Sequence, residues 1–143
     1  MTVAFKFSKR SLDVLSGVRP EMQQLATLAL KLSPVDFIVV NGMRSAAAQL
    51  AAYKAGKSKI KSGGRHQYGC AIDVQAINPV TGKGDWTTST GFYHKIADAF
   101  AAAAKQLGLP YRWGGTFSFH DDGHHELPVS ARFPNNLNWK KAT

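Results

Sequence analysis

The sequence predicts a small α+β fold. Runs of apolar residues at helical spacing and short runs of strand character follow one another without the regular strand–helix–strand order of a parallel α/β fold. The chain has 143 residues, and a domain of that length buries about 70% of its unfolded surface. Because no linker or low-complexity segment interrupts the chain, we expect residues 1–143 to form a single domain without a second module.

The first half of the chain predicts helices around one buried strand. Residues 8–15 indicate a short helix or turn, and Pro20 suits the first turn of a helix through residues 21–32, where an amide has no partner to lose. Residues 36–40 (Asp-Phe-Ile-Val-Val) predict a buried strand. Ser45 is a typical N-cap for the alanine-rich helix that follows.

The second half adds a strand, a hairpin arm and a long helix. Residues 57–64 are polar and predict a loop, and residues 70–76 combine alternation with β-branching, which favours a strand. Residues 78–88 contain proline and glycine and predict a surface turn or hairpin arm. Apolar residues at helical spacing predict a helix over residues 92–107, and a short strand is expected near residues 111–113.

Composition excludes several classes of protein. Cys70 is the only cysteine, so neither an intramolecular disulfide nor a cysteine-rich zinc site can form. Residues 1–10 lack the long apolar run of a signal peptide, and no stretch is long and apolar enough to span a bilayer. We therefore expect synthesis in the cytoplasm, with access to the outside provided by another factor.

The charge balance is strongly basic. Eighteen Lys and Arg residues against nine Asp and Glu residues give a formal net charge of +9. A field of that sign concentrates anionic partners such as nucleic acid, an anionic membrane surface, or a cell wall that carries carboxylates and phosphates. The lysines are scattered along the chain, so a surface that merely improves solubility is an alternative. Charge alone does not choose among these partners.

The first cluster of chemically active residues lies at residues 65–73. It places His66 seven residues before Asp73, which is wrong for one helical face but suits a loop that enters a strand, with Gly69 permitting a tight turn. A carboxylate within the apolar run at residues 71–74 is costly unless it is paired or bound to a metal. The alternative is that Asp73 caps a turn or pairs with an arginine, and that His66 is a surface residue.

The second cluster lies at residues 121–126. Asp121 and His124 are close enough in sequence for both to face one centre. Together with the first cluster, His124 would give two histidines and one carboxylate, which leaves a zinc ion one open position for a water molecule. Asp121 would then act as general base on that water, and Glu126 is a candidate to orient an imidazole through its other ring nitrogen.

Neighbouring residues compete for these roles. His120 and His125 are alternatives to His124 as a ligand, and Asp122 is an alternative to Asp121 as the base. A solvated acidic loop rich in histidine is the alternative to a metal site altogether. Two matching half-sites in one small chain favour the metal site, and a site with one open position indicates a zinc peptidase.

Two further residues have less certain roles in the sequence alone. Arg44 follows the strand and turn at residues 39–43 and is a candidate to polarise a scissile carbonyl or to hold a substrate carboxylate. Its alternative is an ordinary arginine at the entry of a helix. Trp113 precedes Gly114-Gly115 and suits a cleft wall and a hydrophobic core equally well.

These motifs, in this order, resemble the phage L-alanyl-D-glutamate peptidases, which are endolysins related to the D-Ala-D-Ala carboxypeptidases of the vancomycin-resistance type. The resemblance covers most of the chain and is specific in combination. The matching segments are residues 35–37, residues 41–45 with Gln49 and Tyr53, residues 56–59, residues 65–73, residues 96–99, residues 113–115 and residues 119–127.

The resemblance implies a role for each of five residues. The zinc ligands fall on His66, Asp73 and His124, the catalytic acid/base falls on Asp121, and the arginine of the family falls on Arg44. The implied fold is a small α+β domain of the Hedgehog and D,D-peptidase type, with an antiparallel sheet and flanking helices behind a zinc cleft. No separate cell-wall-binding module is expected.

The implied activity is zinc-dependent hydrolysis of the L-Ala–D-Glu bond in peptidoglycan stem peptides, which lyses the host of a phage. A carboxypeptidase that removes terminal D-Ala is the alternative. We expect peptidoglycan as the partner, a monomer, no transmembrane segment, and storage in the host cytoplasm until release to the wall. A basic nucleic-acid-binding protein with a structural zinc is disfavoured, because it gives no reason for an acid beside three nitrogen and oxygen ligands.

The chain departs from the family pattern at three places. Gly64 stands where the family usually has serine, His125 where it usually has an aromatic residue, and Thr116-Phe117 where Asp-Trp is common. The second departure leaves two adjacent histidines as ligand candidates, although alternation in a strand would let only one of them face the site. The third affects substrate contacts, and with them the choice of scissile bond.

Overall fold

A computed structural model describes residues 5–58, 64–118 and 120–142. Its helices are α1 (Lys9–Leu15), α2 (Pro20–Leu32), α3 (Ala46–Lys54) and α4 (Phe92–Leu107), and its strands are β1 (Phe37–Asn41), β2 (Ala71–Ile77), β3 (Gly84–Asp85), β4 (Arg112–Trp113) and β5 (His124–Glu126). The predicted α+β class is confirmed. Lys59 and Phe119 of the matching motifs, and most of the predicted loop at residues 57–64, lie outside the described residues.

The strands form one antiparallel sheet in the order β1-β2-β5-β4, and β3 pairs with the other end of β2. The β1–β2 register shifts between Val39 and Asn41, which sets Asn41 opposite Asp73. On its other side β2 pairs Asp73 with His124 in β5. The central strand therefore carries a carboxylate between an amide on one neighbour and an imidazole on the other.

Alternation along β2 separates a core face from a cleft face. Ile72, Val74 and Ala76 are fully buried against the helices, whereas Asp73 and Gln75 are only partly buried. Successive side chains in a strand point to opposite faces. The predicted strand at residues 70–76 is thus confirmed within one residue, and its apolar alternation fixes the side on which Asp73 emerges.

The core lies between the sheet and two packed helices, α2 and α4. Phe100 of α4 meets Phe37 of β1 with ring centroids 5.6 Å apart, and Met22 and Leu25 of α2 are fully buried. Each such side chain contributes about 1.5–3 kcal/mol relative to leaving it in water. This core holds the sheet rigid behind the cleft.

Local signals define the helix ends as predicted. Pro20 occupies the first turn of α2, and the Ser45 side chain accepts a hydrogen bond from the amide of Ala48 at the start of α3. The Ser8 side chain caps α1, and buried Ser11 of that helix accepts a hydrogen bond from the amide of Val39 at 3.1 Å. The first helix is thereby attached to β1.

Candidate metal centre and cleft

The open face of the sheet forms the floor of a cleft of about 770 Å³. One wall, next to β1, carries Arg44 and Lys57, and the opposite wall, next to β4 at the other edge of the sheet, carries Arg112, Phe117 and Asp121. The floor presents His66, Asp73 and His124.

The three predicted ligands meet at this floor. Asp73 Oδ2 lies 3.3 Å from His66 Nε2, and Asp73 Oδ1 lies 3.3 Å from His124 Nδ1. One ligand atom from each residue lies within 4.8 Å of the others. Donor atoms at about 2.0–2.2 Å from a tetrahedral zinc ion are separated by roughly 3.3–3.6 Å. The spacing therefore suits a metal ion of that size.

Each imidazole is anchored through its other nitrogen. His66 Nδ1 donates to the carbonyl of Gly42 at 2.9 Å, and His124 Nε2 donates to Glu126 Oε1 at 2.8 Å. A carbonyl can only accept, so His66 Nδ1 carries a proton and Nε2 is the nitrogen that faces Asp73. Such outer contacts fix the tautomer and the orientation of metal-binding histidines.

The electrostatics of the floor are compatible with a bound cation. Asp73 Oδ1 is buried without a hydrogen-bond partner in the described part of the chain. Burial acts to raise the pKa of Asp73, but His66 and His124 hold that pKa well below its ordinary value. Burial acts to lower the pKa of His124, yet its contacts with the carboxylates of Asp73 and Glu126 raise it to about 9. A divalent ion would satisfy the carboxylate and both nitrogen lone pairs, so the residues present fit a metal.

The candidate ligands His66 and Asp73 lie on a turn and on the strand that follows it, as the sequence predicted. Arg65–Tyr68 form a 3-10 turn that carries His66, and Gly69 follows with φ of 71° before β2 begins. Asn41 Nδ2 donates to Asp73 Oδ2 at 3.2 Å. The carboxylate is thus oriented by an amide that the sequence analysis did not identify.

Arg65 stabilises the turn that carries His66. The buried guanidinium donates to the carbonyls of Leu127 at 2.9 Å and Phe133 at 2.9 Å, and to Asn135 Oδ1 at 2.6 Å. These partners are more than 60 positions away in sequence, so no local signal indicates them. The contacts attach the C-terminal segment to the turn that carries His66.

Trp139 completes this support. Its Nε1 donates to the carbonyl of Tyr68 at 2.9 Å, and its ring packs directly on Gly69, where a β-carbon would overlap it. The structure places Trp139 under the turn that presents His66 rather than in the cleft.

Asp121 lies at the rim of the cleft, on the loop that leads into β5. Its amide donates to the carbonyl of Gly114 at 3.0 Å, and its carbonyl accepts from the amide of His124 at 3.0 Å. Gly114 has no room for a side chain, because a β-carbon there would lie 2.8 Å from that of His124. Trp113 Nε1 donates to the carbonyl of Asp122 at 2.7 Å. The Trp-Gly-Gly motif therefore holds the loop that presents Asp121.

The surroundings of Asp121 favour proton transfer. Partial burial and the negative charge of Asp73 raise the pKa of the Asp121 carboxyl, and His124 and His66 only partly oppose this. A raised carboxyl pKa brings the group closer to the range in which it can both accept and release a proton near neutral pH. Asp122 instead lies outside the cleft lining.

His120 lines the cleft, but among the described residues neither it nor His125 belongs to the group of possible ligands at the floor. His125 is fully buried on the core face, stacked on Phe100 at 4.0 Å, with Nδ1 2.6 Å from the hydroxyl of Tyr111. Burial, with a contribution from the charge of His124, lowers the pKa of His125 to about 3. His120 is exposed and its Nδ1 contacts the carbonyl of Gly115 at 2.8 Å. Because side chains alternate along a strand, only His124 of the adjacent pair His124 and His125 faces the floor of the cleft.

Arg44 lies half-buried on the cleft wall. Its amide donates to the carbonyl of His66 at 3.0 Å, and its guanidinium donates to Gln49 Oε1 at 3.1 Å. Gln49 is buried and donates in turn to Ser58 Oγ at 2.9 Å. This chain of contacts holds the guanidinium beside the metal floor, and the sequence did not predict the role of Gln49 or Ser58.

Comparisons with known proteins agree with this geometry. The profile of the family described as phage L-alanyl-D-glutamate peptidase matches residues 3–132. The L-alanyl-D-glutamate peptidase of Escherichia phage T5 is 37% identical over 127 residues, which cover 87% of this chain and 90% of that protein. The crystal structure of the Serratia marcescens L-Ala D-Glu endopeptidase ChiX superposes with a TM-score of 0.77 at 35% identity, covering 87% of this chain and 91% of that one. On sequence and structure together, the chain belongs to the family of phage L-alanyl-D-glutamate peptidases.

Proposed function

We propose that this protein is a zinc-dependent endopeptidase that hydrolyses the L-Ala–D-Glu bond of peptidoglycan stem peptides. The observation that carries the proposal is the floor of the cleft, where two imidazole nitrogens and a carboxylate oxygen lie within 4.8 Å of one another. The names of the two relatives, which specify L-alanyl-D-glutamate peptidase and L-Ala D-Glu endopeptidase activity, support the choice of bond.

His66, Asp73 and His124 would hold the metal. Two nitrogen donors and one oxygen donor match the ligand set of catalytic zinc sites, which keep a fourth position open. A bound zinc ion would acidify a water molecule and polarise the scissile carbonyl. The roles of the surrounding residues follow from their positions.

Asp121 serves as general base and then as general acid. At the rim of the floor it accepts a proton from the attacking water and passes it to the amine of the departing D-Glu residue. Its raised pKa suits this exchange. Arg44, held by Gln49 at 3.1 Å, supplies hydrogen bonds to the oxygen on which negative charge develops.

The charge of the chain fits the proposed setting. A net charge of +9 favours adsorption to a wall that carries carboxylates and phosphates.

Within the part of the chain that the structure describes, no helix has the length and apolar character required to cross a membrane. We place the enzyme in the host cytoplasm until its release to the wall, and we expect it to act as a monomer.

Mass spectrometry of digested Gram-negative peptidoglycan tests the proposal. With zinc-loaded protein, the expected products are peptides that begin at D-Glu, with L-Ala left on the muramic acid, and a chelator should suppress them. Release of free D-Ala would instead assign a carboxypeptidase. The absence of any chelator-sensitive product would contradict a catalytic metal.

A further inference from the structure

We propose that Arg112 binds the free carboxylate of the D-Glu residue on the leaving side of the scissile bond, and that Phe117 holds its guanidinium in place. The inference rests on the proposed function, because it assigns a contact to the same substrate. It makes Arg112 a residue that determines specificity and Phe117 a positioning residue.

The sheet register brings Arg112 close to the metal floor. Arg112 of β4 is the cross-strand partner of Glu126, and Glu126 lies two positions after His124 on the same face of β5. Cross-strand Cα atoms are about 5 Å apart and a two-residue step along a strand is about 7 Å. The Cα atoms of Arg112 and His124 are therefore separated by roughly 8–9 Å. An extended arginine side chain covers most of that distance.

The guanidinium of Arg112 is oriented but not paired. It lies over the ring of Phe117, 4.5 Å from the centroid, and both residues line the cleft. Within residues 5–58, 64–118 and 120–142, no carboxylate forms an ion pair with it. Its cross-strand neighbour Glu126 accepts the hydrogen bond of His124 instead. Stacking leaves the N–H edge of the guanidinium available for two parallel bonds to a carboxylate.

The other cations of the cleft are less suited to this contact. Arg44 is held by Gln49 beside the His66 turn, where it faces the scissile carbonyl in the proposed mechanism. Lys57 lies on the opposite wall from Asp121, and its ammonium is a point charge without the planar fork that matches a carboxylate.

Substrate chemistry supplies the carboxylate. In a stem peptide, D-Glu is joined to the next residue through its side-chain carboxyl, so its α-carboxylate stays free on the carbon bonded to the scissile nitrogen. Asp121 delivers a proton to that nitrogen in the proposed mechanism. Because Arg112 and Asp121 both lie on the wall next to β4, the departing D-Glu lies against this wall.

The test uses two synthetic stem peptides that differ only in whether the D-Glu α-carboxyl is free or amidated. We expect the wild-type kcat/KM to favour the free carboxylate by about ten- to hundredfold, the usual value of a charge-assisted contact. Arg112→Gln should reduce this preference to within about threefold by slowing cleavage of the carboxylate substrate alone. Lys57→Gln, which removes one positive charge from the opposite wall, should retain the preference.

A Phe117→Leu variant separates positioning from folding. Its preference should fall part of the way, whereas its unfolding temperature should stay near the wild-type value. Equal wild-type rates on both peptides, or an unchanged preference in folded Arg112→Gln, would overturn the inference while cleavage upholds the proposed function. Failure of the wild type to cleave either peptide would overturn both.

Discussion

Removing the Glu126 carboxylate is expected to weaken zinc binding while leaving the protein folded. Glu126 Oε1 accepts the hydrogen bond of His124 Nε2 at 2.8 Å in a buried setting. This contact turns His124 Nδ1 toward Asp73 and increases the basicity of the ring. Loss of such an outer partner costs about ten- to hundredfold in metal affinity, which corresponds to about 1.4–2.8 kcal/mol.

Two substitutions of Glu126 should weaken zinc binding to different extents. Glu126→Gln keeps the shape and an acceptor oxygen but loses the charge, so its affinity should fall about tenfold. Glu126→Met removes both the acceptor and the charge, and its affinity should fall about hundredfold. Competition with a chromophoric chelator measures both values without relying on activity. Glu21→Gln is the control, because Glu21 pairs with Arg19 away from the cleft.

The three proteins are expected to differ in zinc affinity in a fixed order. Wild type should bind zinc most tightly, Glu126→Gln less tightly, and Glu126→Met least tightly, with all three showing cooperative thermal unfolding. If both folded Glu126 variants bind zinc as tightly as the wild type, then the hydrogen bond from His124 to Glu126 does not strengthen metal binding, contrary to this prediction.

Three further results are expected. Asp121→Asn should lower kcat by about 10²–10⁴-fold with little change in zinc affinity; normal turnover by the folded variant would remove its acid/base role. In metal-free protein, unfolding temperature should fall as pH rises from about 6.5, the ordinary pKa, through about 9, because the raised pKa of His124 makes its proton stabilising below that range. Zinc, which replaces that proton, should flatten the profile, and a flat metal-free profile would contradict the raised pKa. Gly69→Ala should destabilise the protein more than Gly56→Ala, since both glycines have positive φ but only Gly69 packs against Trp139; equal unfolding free energies in denaturant titrations would show that the Trp139 contact contributes little.

The parts of the fold that local patterns determine were predictable from sequence. Apolar spacing identified α2 and α4, Pro20 and Ser45 marked helix starts, and β-branched alternation identified β2. The same alternation explains why Asp73 emerges on the cleft face. Each of these signals lies within a few residues of the feature that it predicts.

The sequence indicated a metal site at residues 66, 73 and one of the clustered histidines, because a buried carboxylate beside histidines is unusual without a cation. The resemblance to the family then selected His124, which the structure places beside His66 and Asp73. The residues that support these ligands could not be predicted. Arg65 binds carbonyls more than 60 positions away, and Asn41 reaches Asp73 only through an irregular register between β1 and β2. Those contacts depend on strand order and on the path of the C-terminal segment, neither of which leaves a local pattern.

Anomalous diffraction at the zinc edge, recorded from crystals grown with zinc, would locate the proposed metal ion. We expect one strong peak at about 2.0–2.2 Å from His66 Nε2, an oxygen of Asp73 and His124 Nδ1, with the fourth position open toward Asp121. A peak at another set of side chains, or no peak at the floor of the cleft, would contradict a catalytic metal held by these three residues.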